Sequence, residues 1–134
     1  MLIPNHRLDL ALRHALLTAC TMLITYLSLM PIAKVESDIP PSIQAYDLPF
    51  HVFVYFVLTS LMIWAVARHE TQKRDRINLF LFCSLFGATL EILQAVLPSV
   101  NRSCTVSDFF SNTAGAALAA LIFPIRTLLS RAKK

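Results

Sequence analysis

The chain has 134 residues, of which 56% are hydrophobic and 15% are charged, and its formal net charge at pH 7 is +4. A soluble domain usually carries about 25% charged residues, so this composition excludes an ordinary soluble protein and favours a single integral membrane domain. The basic residues flank long apolar blocks instead of forming one face with interleaved aromatic residues, which excludes nucleic acid as a partner.

The first apolar block covers residues 15–33 and contains no charged side chain. A transmembrane helix needs about 20 apolar residues, so this block is long enough to cross a bilayer. A cleaved signal peptide is the competing interpretation, because Arg7 and Arg13 precede the block. The apolar region of a signal peptide is usually about 7–15 residues long, which is shorter than this block. We therefore predict that residues 15–33 form a transmembrane helix.

Three further apolar blocks are long enough to cross a bilayer. They cover residues 48–67, 77–97 and 109–125. The first of these contains His51 and the second contains Glu91, and neither contains another acidic or basic side chain. We therefore predict that residues 1–134 form one all-α polytopic membrane domain, a bundle of four transmembrane helices.

The basic residues are concentrated in the N-terminal segment, in the loop between the second and third blocks, and in the C-terminal segment. The two other loops, 34–47 and 98–108, hold only Lys34 and Arg102. Because basic segments are retained on the cytoplasmic side of a membrane, we predict that both termini are cytoplasmic and that these two loops face outward.

Glu91 is the unusual residue of the third predicted helix. An ionised carboxylate at the centre of a membrane helix costs roughly 2.5–3.5 kcal/mol on insertion scales, so such a group is usually partnered, protonated or functional. Glu91 precedes Leu97 by roughly 9 Å along a helix that rises about 1.5 Å per residue. This distance predicts a position in the outer half of the bilayer.

Three predicted helices each carry a polar pair near the outer end, with its members three or four residues apart and so on one helix face. The pairs are Asp47 and His51, Glu91 and Gln94, and Asp108 and Asn112. A polar pair that faced lipid alone would cost free energy, so we predict that the three pairs form one shared cluster. Its uncharged members would hydrogen-bond Glu91, and Arg102 would neutralise Asp47 or Asp108.

Each of these residues also has a simpler interpretation. Asp47 and Asp108 are suited to cap the first turns of their helices. Gln94 and Asn112 are suited to hydrogen-bond neighbouring helices, at about 0.6 kcal/mol each. A protonated, purely structural glutamic acid is the competing interpretation of Glu91.

Two sets of residues have spacings that are typical of one membrane-protein family. The pattern D-K-x-x-H-x-x-x-Y-x-x-L is matched, except at its lysine, by Asp47, His51, Tyr55 and Leu58. The pattern G-x3-E-x2-Q…R-x5-D-x3-N-x2-G is matched by Gly87, Glu91, Gln94, Arg102, Asp108, Asn112 and Gly115. With these residues the chain resembles the VanZ-like membrane proteins over about residues 47–119.

The chain departs from the family pattern at a few positions. Leu48 stands where the family usually has lysine, so the acidic charge of the predicted cluster is less compensated and a cation or a cationic ligand is favoured there. Thr59 and Ala119 stand where glycines are frequent. Gly115 and Ala119 still form a small-xxx-small pair, which together with Gly87 indicates close helix packing.

The VanZ-like proteins are small multi-span bacterial membrane proteins, and the founding member is associated with low-level resistance to the glycopeptide teicoplanin. The resemblance therefore implies a cell-envelope protein of the bacterial cytoplasmic (inner) membrane. Its implied partners are membrane lipids and a lipid-linked envelope precursor. One hypothesis is a membrane-embedded enzyme or binding site that acts on such a lipid from the outer leaflet.

In this first hypothesis Glu91 acts as acid or base and His51 as its proton partner, while Arg102 holds a phosphate or carboxylate head group. The remaining polar side chains that would orient the ligand are Asp47, Tyr55, Gln94, Asp108 and Asn112. No cofactor and no metal ligand are predicted. A site built on His51, Glu91 and an aspartate is a variant that no compact motif such as H-E-x-x-H supports.

The second hypothesis is a non-catalytic structural or accessory protein. The same polar cluster would then only lock the helices together, and the basic cytoplasmic ends would bind anionic lipids or a partner. A transporter is a weaker option, because one chain with four spans would need to oligomerise. The sequence does not decide whether the protein is an enzyme, nor its oligomeric state.

Overall fold

The computed structural model describes residues 6–31, 47–66, 73–100 and 105–131, with side chains from Leu8 onward and up to Ile122. These ranges contain four α-helices: α1 (His6–Leu29), α2 (Asp47–Val66), α3 (Lys73–Val96) and α4 (Val106–Arg131). The prediction of an all-α protein is confirmed.

Three of the helices are long and apolar enough to cross a membrane, over Leu8–Leu29, Asp47–Val66 and Lys73–Val96. The apolar stretch of α4, Val106–Ile122, is shorter. The helices therefore support the prediction of a membrane protein. The count of four spans and the cytoplasmic location of both termini stay predictions.

The direction of the chain alternates from one helix to the next, as the contacts between helix ends show. Arg13, early in α1, donates a hydrogen bond from Nη1 to the carbonyl oxygen of Trp64, near the end of α2, at 3.0 Å. Gln94, near the end of α3, donates from Nε2 to the carbonyl oxygen of Ser28, near the end of α1, at 2.8 Å. We call the end of the bundle where α2 and α4 begin the Asp47 end, and the opposite end the Arg13 end.

The closest helix contact joins α2 and α4, and Gly115 makes it possible. A Cβ atom at Gly115 would overlap the carbonyl oxygen of Val52 and would lie 3.0 Å from the backbone nitrogen of Phe56. Small residues allow two helix backbones to approach in this way. Ala119, one turn further along α4, is fully buried.

A second close contact joins α2 and α3. A Cβ atom at Gly87 would lie 3.0–3.1 Å from the ring and hydroxyl of Tyr55, so the tyrosine packs closely against the glycine. The buried apolar cluster around this contact includes Ile24, Leu58 and Leu90. Most large apolar side chains of α1 are exposed instead, which suits a surface that faces lipid.

Candidate functional site

The polar residues of interest lie at the Asp47 end, because α2 and α4 both begin there and carry most of them near their starts. Asp47 is the first residue of α2, and its side chain is 64% exposed. In α4 the capping residue is Thr105, whose Oγ1 accepts a hydrogen bond from the backbone nitrogen of Asp108 at 3.2 Å. The simpler interpretation of Asp108 as the cap is therefore wrong. Its carboxylate is free for another role, and Asp108 is only 8% exposed.

Asn112 connects His51 to Glu91. The Nδ1 atom of His51 donates to Oδ1 of Asn112 at 2.9 Å, and Nδ2 of Asn112 donates to Oε1 of Glu91 at 3.4 Å. Asn112 is 1% exposed, its hydrogen bond to Glu91 is buried, and its hydrogen bond to His51 is partly buried. The predicted hydrogen bond between Asn112 and Glu91 is present, whereas His51 reaches Glu91 through Asn112 and not directly.

Glu91 is 4% exposed, and its second carboxylate oxygen, Oε2, is buried without a hydrogen-bond partner in the part of the chain that the structure describes. A buried acceptor without a partner costs about 1–3 kcal/mol, so such atoms are rare in folded proteins. One oxygen of Glu91 is thus held by Asn112. The other is buried and can carry the proton of a neutral carboxyl group.

Gln94 does not join Glu91. Its amide nitrogen instead donates to the carbonyl oxygen of Ser28, and Gln94 thereby ties the end of α1 to the end of α3. The expected hydrogen bond from Gln94 to Glu91 is therefore replaced by a contact between helices. Tyr55 packs against Gly87. Arg102, the predicted partner of an aspartate or a head group, lies outside the described residues.

Asp47, His51 and Asp108 come together at the surface of this end. Nε2 of His51 lies 3.6 Å from Oδ1 of Asp47. One potential ligand atom from each of the three residues lies within 4.8 Å of the other two. The sequence predicted that these three residues belong to one shared polar cluster, but it did not single them out as a group of their own. Asp47 precedes His51 by four residues, and Asp108 precedes Asn112 by four residues. Because α2 and α4 run in the same direction, both aspartates lie at the same end of the bundle.

The VanZ/LLP1 family model matches residues 15–128, which is most of the chain and includes the whole polar cluster. The chain belongs to the VanZ/LLP1 family. The resemblance noted from the residue spacings is therefore confirmed. Comparisons with curated proteins and with solved structures found no match.

In this VanZ/LLP1 protein the family motif residues fall into two groups with different surroundings. The first group binds neighbouring helices: Gly87, Gln94 and Gly115 each contact another helix through packing or a backbone hydrogen bond. The second group, Asp47, His51, Glu91, Asp108 and Asn112, forms a polar cluster that extends from the exposed start of α2 to the buried carboxyl group of α3. Of these two groups, only the second contains ionisable side chains.

Proposed function

We propose that this protein binds the head group of a lipid or lipid-linked envelope precursor at the Asp47 end of the bundle, from the outer leaflet of the bacterial cytoplasmic membrane, with Glu91 as acid or base. The observation that carries the proposal is the unpartnered Oε2 atom of a carboxyl group whose other oxygen is fixed by Asn112. A fixed carboxyl group with one unpartnered oxygen is suited to exchange a proton with a ligand that reaches it.

A purely structural role would not require a carboxyl group at this position. A glutamine could accept the same hydrogen bond from Asn112 through its side-chain oxygen, without an ionisable group inside an apolar helix. The cost of a buried carboxyl group is better explained where its acid-base capacity is used.

The arrangement also separates the roles of His51 and Glu91. Asn112 stands between them, and an amide does not readily take up and release a proton. His51 and Glu91 therefore act at different positions of one ligand instead of exchanging a proton directly. In this proposal His51 contacts the exposed part of the head group, and Glu91 contacts the part that enters the membrane.

The charge distribution supports an outward-facing site. In the sequence, segments 34–47 and 98–108 contain only Lys34 and Arg102 among the basic residues, and the other ten lie near the N-terminus, around the start of α3 and near the C-terminus. The positive-inside rule then places the Asp47 end at the outer surface. Arg102 in that orientation supplies a cation for a phosphate or carboxylate head group. The family association with glycopeptide resistance favours an envelope precursor as the ligand.

A structural or accessory role is the second candidate, and one observation favours it. Gln94 and Gly115, both motif residues, make contacts that hold helices together and that a ligand does not need. In that case Glu91 would only anchor Asn112, and the protein would act through a partner.

Two substitutions at Glu91 separate these functions. Glu91→Gln keeps a hydrogen-bond acceptor for Asn112 but removes the acid-base capacity, whereas Glu91→Leu removes both. Each variant is returned to a deletion strain, and membrane lipids and envelope precursors are profiled by mass spectrometry. We expect the deletion to alter the level of a lipid or precursor, and Glu91→Gln to accumulate normally without restoring that level.

Asp9→Asn serves as the matched control, because Asp9 is an exposed acidic residue at the opposite end that pairs with Arg13 at 2.7 Å. This control is expected to restore the profile completely. Full restoration by Glu91→Gln, with loss of protein only in Glu91→Leu, would contradict the proposal and support the structural candidate. An unchanged profile in the deletion strain would also contradict it.

A further inference from the structure

We propose that Asp47, His51 and Asp108 form a binding site for a divalent transition-metal ion at the Asp47 end of the bundle. The site goes beyond the function proposed above and does not depend on it, since metal binding is measured without any lipid.

The separations between the three residues are close to those of a metal site. Metal–ligand distances of about 2.0–2.2 Å place two ligand atoms of a tetrahedral site about 3.4 Å apart. The distance from Nε2 of His51 to Oδ1 of Asp47 is 3.6 Å, and the whole set lies within 4.8 Å. The widest separation exceeds the tetrahedral one by about 1.4 Å, and small side-chain rotations of both Asp47 and Asp108 can bring the ligand atoms that much closer.

His51 is oriented as metal-binding histidines usually are. Its Nδ1 atom donates to Oδ1 of Asn112, so in the neutral ring Nε2 carries the free lone pair and faces Asp47. Asn112 is itself fixed by its hydrogen bond to Glu91. A ligand histidine whose other nitrogen bonds a buried polar group is the common pattern around protein-bound metals.

Asp108 supplies the observation that separates this group from an ordinary acidic surface. It is 92% buried, as its 8% exposure shows, and its carboxylate contributes one of the three converging atoms. Over residues 47–66, 73–100 and 105–122, the described side chains provide this carboxylate with no salt bridge and no hydrogen bond. Burial of an ionised aspartate beside a second aspartate costs free energy unless a cation compensates the negative charge.

The sequence supports the same conclusion. Position 48, next to Asp47, holds an uncharged leucine, so this neighbour of Asp47 supplies no cation to the cluster. Two carboxylates there carry a charge of −2 when ionised. A divalent ion neutralises that charge within one site.

The donor set indicates which ions fit. One imidazole nitrogen favours zinc and other late transition metals, while two carboxylates also suit manganese. Mg²⁺ demands near-octahedral oxygen coordination and keeps several waters, so it suits this site less. Three protein ligands leave a coordination position open for water or for an anionic head group. We therefore expect Zn²⁺ to bind best and Mn²⁺ and Co²⁺ to bind as well.

The test uses the full-length protein, purified in detergent without a polyhistidine tag and stripped of metal. Zn²⁺ and Mg²⁺ are titrated by calorimetry, and Co²⁺ is followed by its visible absorption. We expect one Zn²⁺ per chain, weaker binding of Mg²⁺, and a Co²⁺ spectrum typical of a site with nitrogen and oxygen ligands. His51→Gln and Asp108→Asn should abolish this binding, and Asn112→Leu should weaken it by about 10–100-fold, because it frees the ring of His51.

Two control variants lie at the other end of the bundle. His14→Gln and Asp9→Asn remove a histidine and an aspartate from α1, where His14 bonds the carbonyl oxygen of Leu10 and Asp9 pairs with Arg13. Both should bind Zn²⁺ as the unchanged protein does. Circular dichroism checks that Asp108→Asn keeps its helices, as expected because Thr105 bonds only the backbone of Asp108.

Equal Zn²⁺ affinity in His51→Gln and in the unchanged protein would overturn the proposal, as would the absence of Zn²⁺ binding. Loss of binding in His14→Gln would also overturn it, since the ion would then lie at the Arg13 end. A metal site without any change in envelope lipids would support this inference and contradict the proposed function, so the two fail separately.

Discussion

Asn112 uses both polar atoms of its amide inside the bundle, one towards His51 and one towards Glu91. It thereby fixes the direction of a ring and of a carboxyl group that come from two different helices. Its contribution is consequently larger than that of a single hydrogen bond between membrane helices, which is about 0.6 kcal/mol on average.

Replacement of Asn112 by leucine tests this role. Asn112→Leu keeps a similar volume but leaves a partly buried histidine nitrogen and a buried carboxylate oxygen without their partner, and the loss at the buried oxygen alone costs about 1–3 kcal/mol. We expect a clearly lower midpoint of thermal unfolding in detergent. Thr113→Val is the matched control, because the adjacent Thr113 hydroxyl is buried without a hydrogen-bond partner in the described part of the chain. An equal loss of stability in both variants would show that the amide of Asn112 has no special role.

At the scale of the helices, the spacing of residues predicts where each helix lies in the sequence. It does not predict the rotation of each helix about its axis, which decides which side chains meet. The start of α2 at Asp47 differs by one residue from the predicted span 48–67. By contrast, α3 begins at Lys73 instead of residue 77, because a helix can continue past the membrane with charged residues that an apolar pattern does not include.

The height of the polar residues along their helices was predictable, since a rise of about 1.5 Å per residue converts sequence position into height. Which side chains meet at that height was not predictable. Gln94 bonds Ser28 of α1 and not Glu91, because helix rotation follows from packing against neighbours, and no sequence pattern records it. The interposition of Asn112 between His51 and Glu91 has the same origin.

The contact between α2 and α4 makes a prediction at this scale. Gly115→Ala places a methyl group against the backbone of Val52, which cannot move away as a side chain can. The two helices must separate, at a cost of about 1–3 kcal/mol, and the hydrogen bond from His51 to Asn112 must lengthen. We expect a lower unfolding midpoint together with weaker Zn²⁺ binding.

Gly87→Ala provides the comparison, because its methyl group meets only the side chain of Tyr55, at 3.0 Å. That ring can shift by a few tenths of an ångström, so the loss of stability should be smaller and Zn²⁺ binding unchanged. Equal effects of the two substitutions would contradict the assignment of Gly115 as the closest backbone contact between helices.

At the scale of the whole molecule, the two ends of the bundle have opposite character. At the Arg13 end, Arg13 and Arg76 donate hydrogen bonds to the backbone carbonyl oxygens of Trp64 and Ala120. At the other end, described carboxylates cluster around His51. The distribution of charge along the sequence follows the same division, which supports a fixed orientation in the membrane.

This orientation predicts the accessibility of engineered and native cysteines. Cys104 lies between α3 and α4 in the sequence and should react with a membrane-impermeant maleimide in intact cells, and Cys104→Ser should abolish that labelling. Cys83 is fully buried and forms a 3.1 Å contact with the sulfur of Met62, so it should not contribute. A second cysteine introduced by Lys133→Cys in the Cys104→Ser background should react only after the membrane is permeabilised. Reaction of Lys133→Cys in intact cells, with protection of Cys104, would reverse the orientation and would move the polar cluster to the cytoplasmic side, where an outer-leaflet ligand could not reach it.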